Sequence, residues 1–464
     1  MRTTPALSAR DGLERLAGYP FQVLSWVDDE GYPLSVAVEA TVDPGDGAAA
    51  FAAPAGLSLP GDRVVSLTGS HIHPQPGYGY DERRHVTVWG RLGPDPAGLD
   101  RFVLRATRAW GWDEAEVPFF EYSERAVRQS RRYFDALSAE RGTPVRPRLS
   151  LGWLTLRATR LPFLSATFVP VLIGLAVAAS HGWFDLPAAL LTMLGGAFVH
   201  LGVNVSNDVF DTTLGADELN VTPTQFSGGS RVIQYGLVSL PRMAAISAAF
   251  FAAAVVVGLV LMVVRGSPAL LAIGVLGFVL GIGYTAPPLK LVYRGLGEIA
   301  VAVGFGPLML LGAYVVQTRG LVSWEPIAAS VPVAVLVALI LYVNEIPDRR
   351  GDAHAGKRTL PVRLSKATVI RIYELAAAVA FASVVVSVGI GTLPVTALAI
   401  LLAVPLALRV RNGLAPNYDN PYGLMAIMGV NIRLHLVAGV LLLGAYAVVL
   451  VAGAIAPDAR LFIR

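Results

Sequence analysis

The chain has 464 residues, of which 54% are hydrophobic and only 15% charged, with a mean hydropathy of +0.57. Soluble domains carry about 25% charged residues, so this composition excludes an ordinary soluble protein and points to a membrane. A net charge of +4 is too small to imply a nucleic-acid partner, and the lack of cysteine excludes disulfides, iron–sulfur clusters and Cys-ligated zinc. Residues 1 to about 150 hold most of the charge, and the remainder is a series of apolar runs, so two parts are expected.

Arg2, Arg10, Asp11, Glu14 and Arg15 open the chain without an apolar core. No signal peptide is therefore expected, and the N-terminal part is expected in the cytosol. Short apolar runs then alternate with turn signals. Strands are expected over Phe21–Val27, Leu34–Ala40, Ala48–Phe51, Val64–Thr68 and His85–Gly90, with a hairpin turn at Asp28–Gly31. Asp100–Ala109 and Glu121–Leu137 have helical spacing. A small β-barrel with flanking helices, a soluble α+β domain over residues 1–140, is the expected fold. The strand order and the Val86–Gly90 strand resemble the split-barrel flavin-binding domains of the pyridoxamine-phosphate-oxidase class, and that resemblance implies a flavin. His71 and His73 either offer imidazoles to a metal or simply point the same way as alternate residues of a strand end.

A basic connector, residues 141–160, leads to the apolar part. Arg125, Arg128, Arg131, Arg132, Arg141, Arg146, Arg148, Arg157 and Arg160 precede the first run. They suit anionic headgroups of a cytoplasmic leaflet or an ordinary solvated helix face. Nine runs follow, approximately 161–180, 186–206, 243–264, 268–284, 298–317, 325–346, 370–389, 392–408 and 434–454. Each is close to the ~20 residues that cross about 30 Å of hydrocarbon. An all-α bundle of nine transmembrane helices over 161–455 is expected. The loops after even-numbered runs carry most of the cations, including Arg231, Lys290, Arg294, Arg349, Lys357, Arg358 and Arg409. The positive-inside rule puts those loops and the N-terminus in the cytosol of a multi-pass cell-membrane protein.

Two loops carry the chemistry. The second run ends Asn207-Asp208-Val209-Phe210-Asp211, followed by Asp217, and the sixth ends Asn344-Glu345-Ile346-Pro347-Asp348, followed by Asp352. Both read Asn-acid-x-x-Asp at matching ends of even-numbered helices, a weak internal symmetry. Asn207 and Asp211 share a helix face, as do Asn344 and Asp348, and Asp348 and Asp352 if the helix continues. Asp217 lies on the wrong side of a continued helix, so the chain is expected to turn out near Gly215. Acids at a membrane helix end are costly unless they hold a cation or line a polar cavity. Carboxylates without Cys favour Mg²⁺, shared with substrate phosphates. Asp208, Asp211, Asp217, Asp348 and Asp352 are the candidate ligands. Arg231, Lys290, Lys357 and Arg358 are cations for phosphate oxygens, or ordinary cytosolic cations.

These residues resemble the UbiA superfamily of intramembrane aromatic prenyltransferases, in its 1,4-dihydroxy-2-naphthoate polyprenyltransferase branch. Asn207…Asp211…Asp217 and Asn344…Asp348…Asp352 match its two aspartate motifs. Gly228-Gly229-Ser230, Tyr293–Glu298 and Gly356–Leu360 match its other signatures, while Pro347 stands where a polar residue is usual. The resemblance covers about 150 to 455. It implies Mg²⁺-dependent transfer from a polyprenyl diphosphate to an aromatic acceptor within the bilayer. Asn207, Asp211, Asp348 and Asp352 would be catalytic. Arg160, Arg231, Tyr284, Lys290, Arg294, Asn344, Lys357 and Arg358 would bind substrate, and Phe210, Tyr284 and Tyr342 are candidates to shield a carbocation. Two other readings exist. A CDP-alcohol phosphotransferase would show a compact Asp-Gly-x-x-Ala-Arg signature, absent here; a transporter would place its ionisable residues at mid-membrane.

Overall fold

The computed structural model describes residues 7–54, 56, 59, 61, 63–75, 79–96, 98, 100–146, 149–220, 222–455 and 461–462. Arg2 and Arg148 of the readings above lie outside them. The chain forms two compact units, Met1–Ala126 and Val127–Arg464.

In the first unit, α1 (Ala9–Leu16) starts at a capping box in which Ser8 and Asp11 satisfy each other's backbone N–H. Seven strands follow: β1 (Gln22–Val27), β2 (Pro33–Val38), β3 (Ala40–Asp43), β4 (Ala48–Ala52), β5 (Val64–Gln75), β6 (Gly79–Pro94) and β7 (Arg101–Asp113). They form one antiparallel sheet in the order β2-β1-β5-β6-β7-β4-β3. A flat sheet would hold β1 and β4 about 19 Å apart at ~4.8 Å per strand. Yet Leu24 and Trp26 of β1 share one core with Ala49 and Phe51 of β4, together with Leu13 and Leu16 of α1. The sheet therefore curls around that core.

The helix expected over Asp100–Ala109 does not form; the segment is β7. Leu, Arg and Ala gave it helical character, but it is hydrogen-bonded to β6 on one side and β4 on the other. That double ladder, with Leu104 turned into the core, outweighs local propensity. The expected His85–Gly90 strand is the middle of the much longer β6. His73 Nδ1 lies 2.9 Å from Asp81 Oδ1 and His71 Nε2 3.5 Å from Glu82 Oε2, so each histidine faces a carboxylate on the neighbouring strand. Helix α2 (Phe119–Arg141) covers the expected Glu121–Leu137.

The second unit continues with α3 (Leu151–Thr159), α4 (Ser165–Ser180), α5 (Leu186–Thr213), α6 (Ala216–Leu219), α7 (Leu240–Arg265) and α8 (Pro268–Gly283). Helices α9 (Gly297–Val303) and α10 (Met309–Thr318) form one rod, joined by a wider π turn at Gly304–Leu308. Then come α11 (Trp324–His354), α12 (Leu360–Arg363), α13 (Lys366–Gly389), α14 (Val404–Asn417), which extends a 3-10 segment from Val395, and α15 (Pro421–Ile455). All nine apolar runs are helical, but among the described residues only seven helices are long and apolar enough to cross a membrane. The other two, α4 and α8, have 16 residues each; at ~1.5 Å per residue they reach about 24 Å, short of the roughly 30 Å core.

Helix α11 is the most enclosed of the seven. Its Val333, Leu336, Val343 and Ile346 share the largest core with α4, α13 and α15. Several of the arginines before the first run hold protein, Arg128 donating to the Glu218 carbonyl, Arg131 to the Gln234 carbonyl and Arg157 to the Ser230 carbonyl, while Arg132 and Arg141 are exposed. Close approach of α4 to α10 depends on Gly174, where a Cβ would lie 2.3 Å from the Leu310 carbonyl oxygen. Gly174→Val is expected to cost about 1–3 kcal/mol or more through overpacking. The readout is a lower unfolding midpoint in detergent, with Gly444→Val, where nothing lies within 4 Å of an added Cβ, unchanged.

Candidate active site

Helix α5 ends because Gly215 takes a left-handed conformation, φ +83°, which a side chain would resist. The chain turns there into α6, whose Asp217 folds back and is buried, 4% exposed. Gly228 and Gly229 are consecutive left-handed residues, φ +75° and +76°. They aim two backbone N–H groups at two different acids. Gly228 N donates to Asp348 Oδ2 at 2.8 Å, and Ser230 N to Asp208 at 3.2 Å. The segment between α6 and α7 thus ties the end of α5 to the end of α11.

Asp211 accepts from three donors: Tyr293 Oη at 2.7 Å, Asn207 Nδ2 at 3.2 Å and Lys357 Nζ at 3.1 Å. Asn207 is itself set by Thr285 Oγ1, 2.9 Å away. Asp348 accepts from Asn220 Nδ2 (2.9 Å) and Ser227 Oγ (3.0 Å) besides Gly228. Lys357 stands between the two motifs, 3.1 Å from Asp211 and 3.9 Å from Asp352. Burial alone would lower its ammonium, but Asp211 and Asp352 hold it well above the ordinary lysine range. Asp217 is pushed well above the usual carboxylate range, first by burial and then by Asp211 and Asp208. Its Oδ2 is buried and accepts from no donor, an arrangement a bound cation would relieve.

The expected site residues separate into two groups. Asn207, Asp211, Asp217, Asn344, Asp348, Asp352, Arg160, Tyr284 and Lys357 line one cavity of about 650 Å³. Asp208 is not among the lining residues: Arg160 lies 2.9 Å from its carboxylate, which also accepts from Ser230 N. Arg231 is buried behind the acids, donating to the Asp217 carbonyl. Lys290, Arg294 and Arg358 are not among the lining residues. Arg294 is exposed and donates to the Pro288 carbonyl, and the Arg358 N–H pairs with the Tyr293 carbonyl. Lys290 Nζ lies 5.9 Å from the ring of Tyr293, the residue that donates to Asp211. Of the candidate shielding aromatics Tyr284 lines the cavity, whereas Tyr342 is buried and donates to the Val369 carbonyl; Phe163, Phe226, Phe278 and Phe305 also line the cavity.

Asn220, Ser227, Thr285 and Tyr293 were not anticipated as partners of the acids. Ser227 and Tyr293 adjoin or belong to recognised motifs, which was the available signal; Asn220 and Thr285 have none, because only the fold brings them there. Beyond the acids the cavity is mainly apolar, walled by Val203, Ile273, Phe278, Phe305, Met309 and Val316, with Thr192, His200 and Asn204 also lining it.

Comparison with known proteins matches residues 167–432 to the UbiA prenyltransferase family. The 2-carboxy-1,4-naphthoquinone phytyltransferase of Synechocystis sp. is 29% identical over 63% of this chain and 92% of its own. The 1,4-dihydroxy-2-naphthoate octaprenyltransferase of Mycobacterium tuberculosis is 32% identical over 53% of this chain and 80% of its own. A structure of a UbiA homolog from Archaeoglobus fulgidus bound to DMAPP and Mg²⁺ is similar with a TM-score of 0.45 and 16% identity, over 60% of this chain and 98% of that one. The family match begins at residue 167, so the flavin expected in the first unit draws no support from it. The chain is a prenyl-transferring enzyme and belongs to the UbiA prenyltransferase family.

Proposed function

We propose that the chain transfers a polyprenyl group from its diphosphate to 1,4-dihydroxy-2-naphthoate, the acceptor that relatives on this branch are named for. The observation that carries the reading is the convergence of Asp211, Asp217, Asp348 and Asp352 at one end of an otherwise mainly apolar 650 Å³ cavity. The carboxylates and the orphaned Asp217 Oδ2 fit a hard divalent cation, and these four residues would hold Mg²⁺. Bound there, Mg²⁺ supplies Lewis-acid stabilisation of the departing diphosphate.

The protein's own groups do the rest. Asn207 and Tyr293 fix the Asp211 carboxylate, while Asn220, Ser227 and Gly228 fix Asp348. Lys357 and Arg160, both on the cavity wall, offer positive charge to phosphate oxygens. Asn344, whose Nδ2 is bound to the Phe226 carbonyl, leaves its Oδ1 for substrate. The apolar walls take the isoprenoid tail, and Tyr284, Phe226 and Phe305 exclude water from the reacting carbon. In the bilayer, α4, preceded by the 3-10 turn Leu161–Leu164, and α8 complete nine crossings over residues 161–455, with local thinning of the bilayer making up their short length. The positive-inside distribution puts the acidic ends, the 141–160 connector and the 1–140 domain on the cytosolic side.

Purified protein is expected to form the prenylated naphthoquinol in Mg²⁺ and none in EDTA. Asp211→Ala and Asp348→Ala should each lower turnover by roughly 100-fold or more. Full activity in both variants overturns the site assignment, and turnover of a different aromatic acceptor alone overturns the acceptor. Gly229→Ala would put a Cβ 2.8 Å from both Asp217 carboxylate oxygens at a left-handed φ. It should raise the Mg²⁺ concentration for half-maximal activity about tenfold, a shift of about 1.4 kcal/mol, with the protein still folded.

A further inference from the structure

Each acid of the clamp has an N–H or O–H donor or a cation beside it, but one further acid on the same cavity wall is partnered chiefly by another carboxyl. Glu345 lies on α11, lines the cavity and is 5% exposed. Both its carboxyl oxygens are buried with no amide, hydroxyl or ammonium donor on them, and the same holds for Oε1 of Glu298 on α9. Each has the other's carboxyl as its hydrogen-bond partner; a proton shared between them satisfies one oxygen of each and leaves acceptor capacity on the pair. The nearest cation, Lys357, is bound to Asp211 and Asp352. Leaving buried acceptor atoms unmatched costs about 1–3 kcal/mol each, more when charged. Such a group inside a substrate cavity points to a donor brought by the substrate.

Its position says which substrate. Glu345 is three residues before Asp348, about 4.5 Å deeper along the helix axis, on the side away from the diphosphate clamp. The prenyl carbon that reacts is the one bonded to the diphosphate oxygen, so the aromatic ring must stand next to the clamp, at that depth. A prenyl diphosphate has no O–H at its reacting end, whereas a hydroxyaromatic acceptor does. We infer that Glu345, backed by Glu298, is the recognition group for the ring hydroxyl of the acceptor, and this assignment rests on the acceptor proposed above.

The same contact serves the chemistry. As the ring attacks, the hydroxyl O–H bond breaks and its proton passes to Glu345. The O–H electron pair moves into the ring, whose carboxyl-bearing carbon bonds to the prenyl carbon. The prenyl C–O bond breaks, and its pair leaves with the diphosphate. Loss of the ring carboxyl as CO₂ returns a pair to the ring, and the oxygen recovers the proton from Glu345. No oxidant or reductant is needed.

The test uses the full chain with a prenyl diphosphate, Mg²⁺ and 1,4-dihydroxy-2-naphthoate, compared with its O-methyl ether as a competitive inhibitor. In Glu345→Gln, kcat/KM for the acceptor should fall about 100-fold, the lower range for loss of a proton-transfer group. KM for the prenyl diphosphate should stay within about threefold, under ~0.7 kcal/mol. The wild-type preference for hydroxyl over methyl ether should disappear. An unchanged preference, or equal losses for both substrates, overturns the assignment. If Glu345→Gln does not fold, Glu298→Gln answers the same question, since its amide would compete for Glu345 and give a smaller loss confined to the acceptor. Wild-type protein that ignores this naphthoate but prenylates another hydroxyaromatic marks failure of the acceptor reading instead, and Glu345→Gln is then read against that acceptor.

Discussion

Carboxylates gathered where two apolar helices end repel one another and resist burial, and the structure around them is built to offset both effects. Lys357 bridges Asp211 and Asp352, Arg160 neutralises Asp208, and two left-handed glycines turn backbone N–H groups toward Asp208 and Asp348. Breaking such a buried arrangement at one partner typically costs 3–5 kcal/mol, about a third of a domain's stability. The segment 220–230 is therefore as much a part of the site as the helices. The compensation is incomplete at Asp217 Oδ2 and at Glu345, and the incompleteness falls where ligands would sit.

Much of this was legible in the residues. The paired Asn-acid-x-x-Asp ends follow from helix spacing alone, and Asp217 required a turn that only Gly215 could supply, as found. Positions of cations were less legible, because charge beside a membrane helix obeys the positive-inside rule whether or not it faces a site. Lys357 and Lys290 look alike in sequence and both lie over the Tyr293 ring, at 5.5 and 5.9 Å, yet of the two it is Lys357 that reaches Asp211 and Asp352. The partner of Asp208, Arg160, lies 48 residues away and has no signal in the spacing of the motif. β7 read as a helix because its pairing with β6 and β4 is non-local. Hydropathy found all nine apolar segments but not that α4 and α8 would be short.

The site also divides labour along α11. Asp348 and Asp352 lie at its polar end with Lys357, Glu345 lies one turn deeper, and apolar residues such as Ile340 and Val337 continue the wall. A diphosphate, an aromatic ring and an isoprenoid chain present the same order of polarity, so one helix carries a matching sequence of surfaces. The π turn between α9 and α10 widens the rod opposite, and Phe305 within it lines the cavity. Such bulges recur at functional sites.

The central claim is that the ends of α5 and α11 act together on one metal-bound diphosphate. Its most direct test is equilibrium binding of a non-reactive prenyl thiodiphosphate to the purified chain, with Mg²⁺ and with EDTA, for wild type, Asp211→Asn, Asp348→Asn and the double variant. The account predicts Mg²⁺-dependent binding in wild type that either single substitution weakens by about tenfold or more, with the double variant little worse, as expected for residues acting as one unit. Binding indifferent to Mg²⁺, or lost through one motif and untouched through the other, would contradict it.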